Sequence, residues 1–496
     1  FFLFIYKNKF FFKYNKLEKT TIIIILILSL VNIYGSGYSD DLHHYHGGYI
    51  VNTDNHNYII GSNFLNNHFG YSSIWLILHS YLNINSFLLQ DIHVLNAILF
   101  FLIISYLVTE NLQKKKSNFY FLYLASSIFI FFFLIKYTRL KEFGLDRPGI
   151  LLFCFLIYFA AKYQYLLNKK PNEINKYFFL IFFICLFITY IKIFFLFCLL
   201  IPLFLIFKLK FNNFFYSKFA LVIYFVVGVY FLKNILISGC LIYPFEFTCF
   251  ANLDWNTKEI ASNLLLKTEA STKGFDKYIL PLEFKQHLHA LNASEYVKNF
   301  NWVSIWLARN TEELINYFST IIIILFLFIF GSQYNKKIKK YDSFEIIIFF
   351  LFIFNLIIFI KSPVVRYHHT LFIFFGLSLM LSSKIIFLKK TMIFNWILIL
   401  CLCFNFSKNL LRIYKTDFYN NPYEHIKKVK WYISPVEKKL GSFIYYEGWI
   451  DAHPVGNMDI SHDYIPMDRK STEIYNYLYF KHIKHKKKFI FDMIYR

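Results

Sequence analysis

The sequence predicts an all-α polytopic membrane protein, and two observations predict this class. The chain of 496 residues is 57% hydrophobic and 22% aromatic, which makes it more apolar than a soluble domain. The apolar residues also form runs that approach the ~20 residues needed to cross a bilayer as a helix. The strands of a membrane barrel would instead alternate polar and apolar residues, so a bundle of helices is expected.

The apolar runs predict about eleven helical spans, many of them short. Lysines in alternate connections set the orientation, because cytoplasmic loops carry an excess of basic residues. The predicted spans are 20–34, 92–109, 119–137, 149–163, 177–191, 193–208, 219–237, 313–331, 345–360, 369–383 and 391–406. The basic connections contain Lys7 to Lys19, Lys114 to Lys116, Lys169 and Lys170, Lys208 and Lys210, Lys336 to Lys340, and Lys389 and Lys390.

The opposite set of connections is then external. It comprises 35–91, 138–148, a tight turn near Lys192, 238–312, 361–368 and the tail 407–496. The membrane domain is therefore predicted over 1–406, with external loops 35–91 and 238–312. The segment 407–496 carries strand-like pieces and is predicted to be a small external C-terminal α/β part. Its basic residues do not contradict this side, because long terminal segments are largely exempt from the charge rule.

The first residue is Phe1 rather than Met, so we expect residues before it, and Phe1 to Tyr6 is interpreted as the end of an earlier helix. The formal net charge is +23 and is spread over the connections. This distribution suits loops beside lipid headgroups and argues against a nucleic-acid partner.

The seven cysteines fall into two groups. Those in apolar runs are expected to be small buried residues; they are Cys154, Cys185, Cys198, Cys401 and Cys403. Cys240 and Cys249 lie in the predicted external segment 238–312 and are candidates for a disulfide.

Polar residues gather at the predicted external ends of the spans. They include Asp40, Asp41, His43, His44 and His46 after the first span, then Asp146 and Arg147, Lys192, Lys233 and Asn234, and Arg366. Arginine binds phosphate through a bidentate fork and lysine binds it as a point charge. A carboxylate can take a proton from an acceptor hydroxyl. These residue types favour glycosyl transfer from a polyprenyl-phosphate donor, although ion transporters also place charges in clefts.

The histidines of the first external loop allow another interpretation. His43, His44 and His46, with Asp40 and Asp41, have the donor types of a divalent metal site. A hydrogen-bonded polar loop would have the same composition. The sequence identifies no cofactor with certainty, and a divalent metal stays open.

The overall pattern resembles the GT-C superfamily of membrane glycosyltransferases, which have many spans, an acidic motif in the first external loop and a soluble external C-terminal part. It is more closely similar to uncharacterised bacterial polytopic membrane proteins associated with surface polysaccharide. The residues that carry the resemblance are Tyr38 to His46, His68 to Ser73, Leu145 to Pro148, Thr189 to Lys192, Leu232 to Phe245 with Asp254 and Trp255, and Ser362 to Tyr367. That group tends to have arginine where Lys233 stands, and lysine keeps the charge without the fork.

The resemblance implies a GT-C-like helical bundle in a bacterial cytoplasmic (inner) membrane, with its active face external. It implies that Asp40 or Asp41 is the catalytic base or positions the acceptor, with Asp146 as a second acidic position. The residues expected to bind the lipid-linked sugar are His44, His46, Arg147, Lys192, Lys233, Asn234 and Arg366. The implied partners are a polyprenyl-phosphate sugar lipid and a glycan, lipid or protein acceptor.

Two other functions fit a chain of this class. A transporter or flippase of lipid-linked sugars would often show inverted repeats and broken helices near the midplane, and no paired repeat is visible. An O-antigen-type polymerase shares the span count, but it tends to use arginines in large external loops. The segment 238–312 has Arg309 alone.

Overall fold

The structure is a computed structural model. It describes residues 15–34, 46, 49, 60–64, 67–81, 94–113, 120–140, 144–167, 174–209, 212–275, 293–298, 300, 302–330, 333–334, 343–382, 385–386, 391–415, 436–440 and 443–447. The α-helices are α1 Lys16–Tyr34, α2 Ile74–Tyr81, α3 Leu95–Gln113, α4 Tyr120–Lys136, α5 Asp146–Leu167, α6 Ile174–Ile191, α7 Leu200–Leu209, α8 Lys218–Ser238, α9 Lys258–Thr272, α10 Ala293–Lys298, α11 Trp302–Phe330, α12 Ser343–Lys361, α13 His369–Ser382 and α14 Thr391–Lys415.

Short elements connect these helices. The 3₁₀ helices are Ser62–Phe64, Asn67–Tyr71, Ile193–Leu199, Asn212–Tyr216, Glu246–Thr248 and Val365–His368. Strand β1 (Gln333–Tyr334) pairs antiparallel with β2 (Ile385–Ile386), and β3 (Val436–Leu440) pairs antiparallel with β4 (Phe443–Glu447). The last pair forms a hairpin in the segment for which an α/β part is predicted.

Each predicted span coincides with helical structure, and the span 193–208 combines a 3₁₀ helix with α7. Among the described residues, three segments are long and apolar enough to cross a membrane: Leu95–Leu112, Lys218–Ser238 and Phe394–Tyr414. Shorter apolar segments are Leu122–Lys136, Lys176–Ile191, Ile193–Lys208 and Ile346–Lys361. The protein is therefore mostly helical, with helices suited to a membrane, and the count of eleven crossings stays a prediction.

Helix α4 is the centre of the bundle. Every side chain from Leu122 to Leu134 is buried, and α4 packs against α3, α5, α11, α13 and α14. Helix α8 lies at the periphery instead, with Leu221 66% and Phe225 72% exposed. An apolar helix that leaves such side chains uncovered is suited to contact with lipid.

The predicted external ends meet at one end of the bundle. The Leu140 amide after α4 donates to the Asn32 carbonyl near the end of α1, at 3.3 Å. The predicted cytoplasmic ends meet at the other, where Lys162 of α5 contacts Glu110 of α3. Each of these two contacts joins helix ends that the lysine pattern assigns to the same side.

One expectation needs revision. Cys403 is exposed, unlike the other cysteines of the apolar runs, because it lies on the outer side of α14. Helix α14 continues through Lys415, beyond the end of the predicted span 391–406. The residues just after 406 belong to the bundle.

Candidate functional site

Lys192 lies at the tip of a tight turn between α6 and the 3₁₀ helix Ile193–Leu199. Its backbone is extended, with φ −153° and ψ 123°, which interrupts the helical path. On either side of the turn, the Cys198 thiol lies 3.3 Å from the Cys185 carbonyl oxygen. The two arms therefore run back along each other, and the Lys192 side chain projects from the end of the hairpin as the sequence predicts.

Asp146 is the first residue of α5. Pro148 lies in the first helical turn, where a missing N–H is tolerated. A Cβ added at Gly149 would overlap the ring of Phe195, so this glycine permits close contact between α5 and the arm that follows Lys192. The sequence Asp146 to Gly149 thus begins a helix and brings its first carboxylate to the Lys192 turn.

Four residues then form what we call the Asp146 cluster: Asp146, Lys192, Arg366 and Tyr367. The Lys192 ammonium is 2.6 Å from Oδ1 of Asp146, and Nε of Arg366 is 4.0 Å from Oδ2. Lys192 Nζ also lies 3.2 Å from the centroid of the Tyr367 ring, a cation–π contact. Arg366 donates from Nη2 to the Tyr367 hydroxyl at 3.3 Å. One carboxylate thus orients two cations.

The charge of Lys192 is secured by this arrangement. Burial lowers the pKa of the ammonium, but the Asp146 carboxylate raises it, and the pKa ends above the ordinary value of a lysine. Lys192 therefore stays protonated at physiological pH. Its side chain is 23% exposed and that of Arg366 is 50% exposed, so both cations can reach an anion from solution.

The loop that carries Arg366 and Tyr367 is fixed by His368 and Trp306. The His368 ring is buried, with Nδ1 2.6 Å from Oδ1 of Asn355 and Nε2 3.0 Å from the Ser362 carbonyl oxygen. Burial, with a smaller contribution from the charge of Lys192, lowers the pKa of His368 to about 3, so the ring is neutral. Trp306 donates to the Pro363 carbonyl at 2.7 Å. Arg366 is accordingly presented on a fixed loop.

Among the described residues, Lys233 contacts a group outside this cluster. It donates to the Ser72 carbonyl at 2.6 Å, and Ser72 has φ +48°, a strained conformation for a residue with a side chain. The next residue, Ser73, donates to the Ile191 carbonyl at 2.7 Å, directly before Lys192. The segment Ser72–Ser73 therefore links Lys233 to the turn that bears Lys192.

Arg147 and Asn234 make contacts of other kinds. Arg147 donates to the carbonyl of Arg139, in the connection that follows α4. Asn234 is buried, and its amide donates to the Leu241 carbonyl at 2.9 Å, which holds the turn after α8. Helix α8 ends at Gly239, whose φ of +74° favours glycine. In this geometry Asn234 stabilises the loop that follows the predicted span.

The first external loop is described in part. Asp40, Asp41, His43 and His44 lie outside the described residues, so the predicted base and most of the predicted metal donors are not placed. His46 is 2% exposed, and burial together with the charge of His46 lowers the pKa of the nearby His79 to about 3. Within the described residues, no group of three or more His, Cys, Asp or Glu side chains could hold a metal ion.

Cys240 and Cys249 form a disulfide, which confirms the candidate pairing. The bridge closes the turn that follows α8. Thr257 extends the same connection, because its hydroxyl donates to the Ser238 carbonyl at 2.7 Å and accepts from the Asn63 amide at 2.9 Å. These hydrogen bonds join the segments 60–73 and 238–257 next to the C-terminal end of α8.

Comparison with known proteins identifies a family. Residues 1–374 match a family described as a domain of unknown function, DUF8201. The chain belongs to the DUF8201 family. No curated protein and no solved structure matches it. The Asp146 cluster lies entirely within the matched residues of this DUF8201 chain.

Sequence reasoning missed Tyr367 as a site residue and missed the support from Ser72 and His368. Tyr367 and Ser72 lie within two of the segments that carry the resemblance, Ser362 to Tyr367 and His68 to Ser73. A tyrosine ring that packs against a cation cannot be recognised from the sequence of a chain with sixty-five phenylalanines and thirty-nine tyrosines. The strained backbone of Ser72 is a property of the fold and leaves no trace in the sequence.

Proposed function

We propose that this DUF8201 chain is a membrane glycosyltransferase that uses a polyprenyl-phosphate-linked sugar donor at the external face of a bacterial cytoplasmic membrane, in the assembly or modification of cell-surface glycan. The observation that carries the proposal is the convergence of Lys192 and Arg366 on Asp146 at one end of the bundle. Within the Asp146 cluster two cations face one carboxylate, a formal net charge of +1, and Glu313 of α11 also attracts Arg366. A phosphate at a membrane surface complements such a charge.

In the proposed reaction, the acceptor hydroxyl oxygen bonds to the anomeric carbon of the sugar as the bond from that carbon to the phosphate oxygen breaks. The acceptor proton passes to a carboxylate base, and the polyprenyl phosphate leaves with the bonding electron pair. Lys192 and Arg366 stabilise the negative charge that develops on the leaving phosphate. Asp146 positions these cations, and the base is assigned to Asp40 or Asp41.

The external orientation is supported by the disulfide Cys240–Cys249, which lies in the connection predicted to be external. Disulfides persist in oxidising compartments and are rare in the cytoplasm. The alternate placement of the lysine-rich connections along the sequence predicts the same side by the positive-inside rule.

A transfer assay tests the proposal. The purified full chain would be reconstituted in liposomes with a polyprenyl-phosphate-linked radiolabelled hexose and a membrane extract as acceptor. We expect transfer of label to the extract. We expect Asp146→Asn to reduce the rate about 100-fold, because misplaced cations no longer stabilise the leaving phosphate. The matched control is Lys218→Gln, which changes an exposed lysine at the first residue of α8 and should leave the rate unchanged.

The same assay separates the competing functions and the two candidate bases. Label that crosses the bilayer while still attached to its polyprenyl carrier would indicate a flippase and contradict the proposal. Asp40→Asn and Asp41→Asn should differ, with the loss of transfer confined to the base. Full activity in both variants would remove the catalytic role from the first external loop.

A further inference from the structure

A second group of cations lies around the connection 136–140 that follows α4. Arg412 of α14 donates from Nη1 to the Thr138 carbonyl at 3.0 Å and to the Thr138 hydroxyl at 2.9 Å. Arg147 of α5 donates to the adjacent carbonyl, that of Arg139. Two arginines from helices far apart in the sequence thus bind neighbouring peptide groups of one short segment.

Three more cations belong to this group. Arg139 is part of the connection, Lys136 ends α4, and Lys408 lies one turn before Arg412 on α14. The charges of Arg412 and Arg139 repel Lys408, and Lys408 repels Lys136, so the side chains lie within electrostatic reach of one another. We call Lys136, Arg139, Arg147, Lys408 and Arg412 the second cationic cluster.

One acidic residue acts on both clusters. Glu313 of α11 attracts Lys136, and it also attracts Arg366 of the Asp146 cluster. Lys136 is further held by α11, since its ammonium donates to the Asn316 carbonyl at 2.9 Å and to the Asn316 side chain at 2.8 Å. Five cationic side chains close to one another make a strongly positive surface, which attracts anions.

Buried amides fix the scaffold beneath these cations. Asn32, Asn405 and Asn409 are all 0% exposed. Asn409 donates to the Asn32 side chain at 2.6 Å, and Asn405 donates to the Leu134 carbonyl at 2.6 Å. A buried network in which the amides are bonded to each other and to the backbone holds α1, α4 and α14 in register. The cations therefore lie on a fixed scaffold, so the binding of a ligand costs little side-chain and backbone freedom.

The surface beside the cluster is apolar. On α14, Leu411 is 60% exposed, Leu410 is 45% exposed and Phe404 is 47% exposed, within a segment apolar enough to cross a membrane. Arg139 and Lys408 are themselves exposed. A positive patch bordered by a lipid-suited face fits a ligand that joins a phosphate to hydrocarbon.

We propose that the second cationic cluster is a binding site for a phosphate group at the membrane surface, carried by an anionic lipid or free, and separate from the Asp146 cluster. Adjacent residues of α5 divide between the two sites, because Asp146 contacts Lys192 and Arg147 contacts the Arg139 carbonyl. The second site requires no transfer reaction, so it stands or falls independently of the proposed glycosyltransferase activity.

The test measures binding to the purified full chain in neutral detergent, without a sugar donor. Native mass spectrometry would count bound phosphatidylglycerol against phosphatidylcholine of the same acyl length, and thermal unfolding would compare sodium phosphate with sodium chloride at equal ionic strength. The variant is Arg139→Gln with Lys408→Gln, since neither side chain supplies a hydrogen bond to the scaffold in the described contacts. The control is Lys218→Gln with Lys258→Gln, two exposed lysines on other helices.

We expect the chain to prefer phosphatidylglycerol, and the variant to bind it more weakly by about fivefold for each cation removed. The control pair should match the wild type. Loss of lipid binding alone identifies the headgroup of a lipid as the ligand, and loss of both lipid and phosphate effects identifies the phosphate group itself. Absence of a preference for phosphatidylglycerol or phosphate, or an equal loss in the control pair, would overturn the proposal.

Discussion

Two lysine–carboxylate pairs lie at opposite ends of the bundle, and their own geometry is nearly the same. Lys192 and Asp146 are 2.6 Å apart, with side chains 23% and 20% exposed. Lys162 and Glu110 are 2.8 Å apart, with side chains 26% and 17% exposed. Distance and exposure therefore do not tell a structural ion pair from a candidate site.

The surroundings of the two pairs do differ. Glu110 also accepts from the Tyr158 hydroxyl at 3.1 Å, and Lys162 donates to the Tyr106 hydroxyl at 2.9 Å. These four residues all lie within α3 and α5, so protein groups complete the polar contacts. Asp146 and Lys192 lie at helix ends, beside a second, half-exposed cation, Arg366. Excess charge at the end of several helices is what marks the Asp146 cluster as a site.

Removal of the two lysines gives the largest expected contrast. We expect Lys192→Met to reduce glycosyl transfer by about 100- to 1,000-fold, because a charge that stabilises the leaving phosphate is lost. Lys162→Met should leave the transfer rate of the folded protein near that of the wild type, but lower its stability by about 1–3 kcal/mol, because Glu110 loses its partner. The reconstituted donor assay and thermal unfolding measure the two effects.

If both variants lost transfer activity equally at matched protein levels, the two lysine–carboxylate pairs would not differ in function. Preserved transfer in Lys192→Met would remove this lysine from phosphate binding. The comparison is designed so that both variants lose one lysine of a partly buried pair.

A charge-conserving change at Arg366 gives a smaller effect on transfer. Arg366→Lys keeps the positive charge but loses the planar fork that can bind two phosphate oxygens. We expect a transfer rate about tenfold lower, in line with the loss of one charge-assisted hydrogen bond. Arg309→Lys, an exposed arginine on α11, serves as the matched change. A wild-type rate in Arg366→Lys would mean that this residue acts only as a point charge.

At the Asp146 end we also expect the stability to depend on pH, through the buried His368. The pKa of His368 is lowered to about 3, mainly by burial, whereas an unfolded histidine titrates near ~6.5. Below pH ~6.5 the unfolded chain binds a proton at this histidine and the folded chain does not. The free energy of unfolding is therefore highest above pH ~6.5, and it falls with decreasing pH until the folded ring titrates near pH ~3. We expect a loss on the order of 2 kcal/mol between pH 6.5 and pH 5.

The measurement is the unfolding temperature of the detergent-solubilised chain at pH 7 and pH 5, in the wild type and in His368→Asn. The variant should be less stable at pH 7, because the bonds to Asn355 and Ser362 change, but its stability should depend less on pH. An unchanged pH dependence in His368→Asn would assign the effect to other groups.

Much of the framework could be predicted from the sequence, because it follows from local composition. Apolar runs predict helices, and all eleven predicted spans coincide with helical structure. The lysines of alternate connections predict which helix ends lie together. Asp146, Lys192 and Arg366 were all identified as site residues, since a charge next to an apolar run is costly unless it reaches water or a partner.

Only the packing of the helices determines which of these charged side chains come into contact. Lys192 and Asp146 are 46 residues apart, and Arg412 and Thr138 are 274 residues apart, so no local pattern could pair them. Packing also gave the adjacent residues Asp146 and Arg147 different bonding partners, because successive residues of a helix project in different directions. Local composition predicts the helices and the helix ends at which charges accumulate. Contacts between residues far apart in the chain arise only when the helices pack, and packing paired Asp146 with Lys192 and brought Arg147 to the connection after α4.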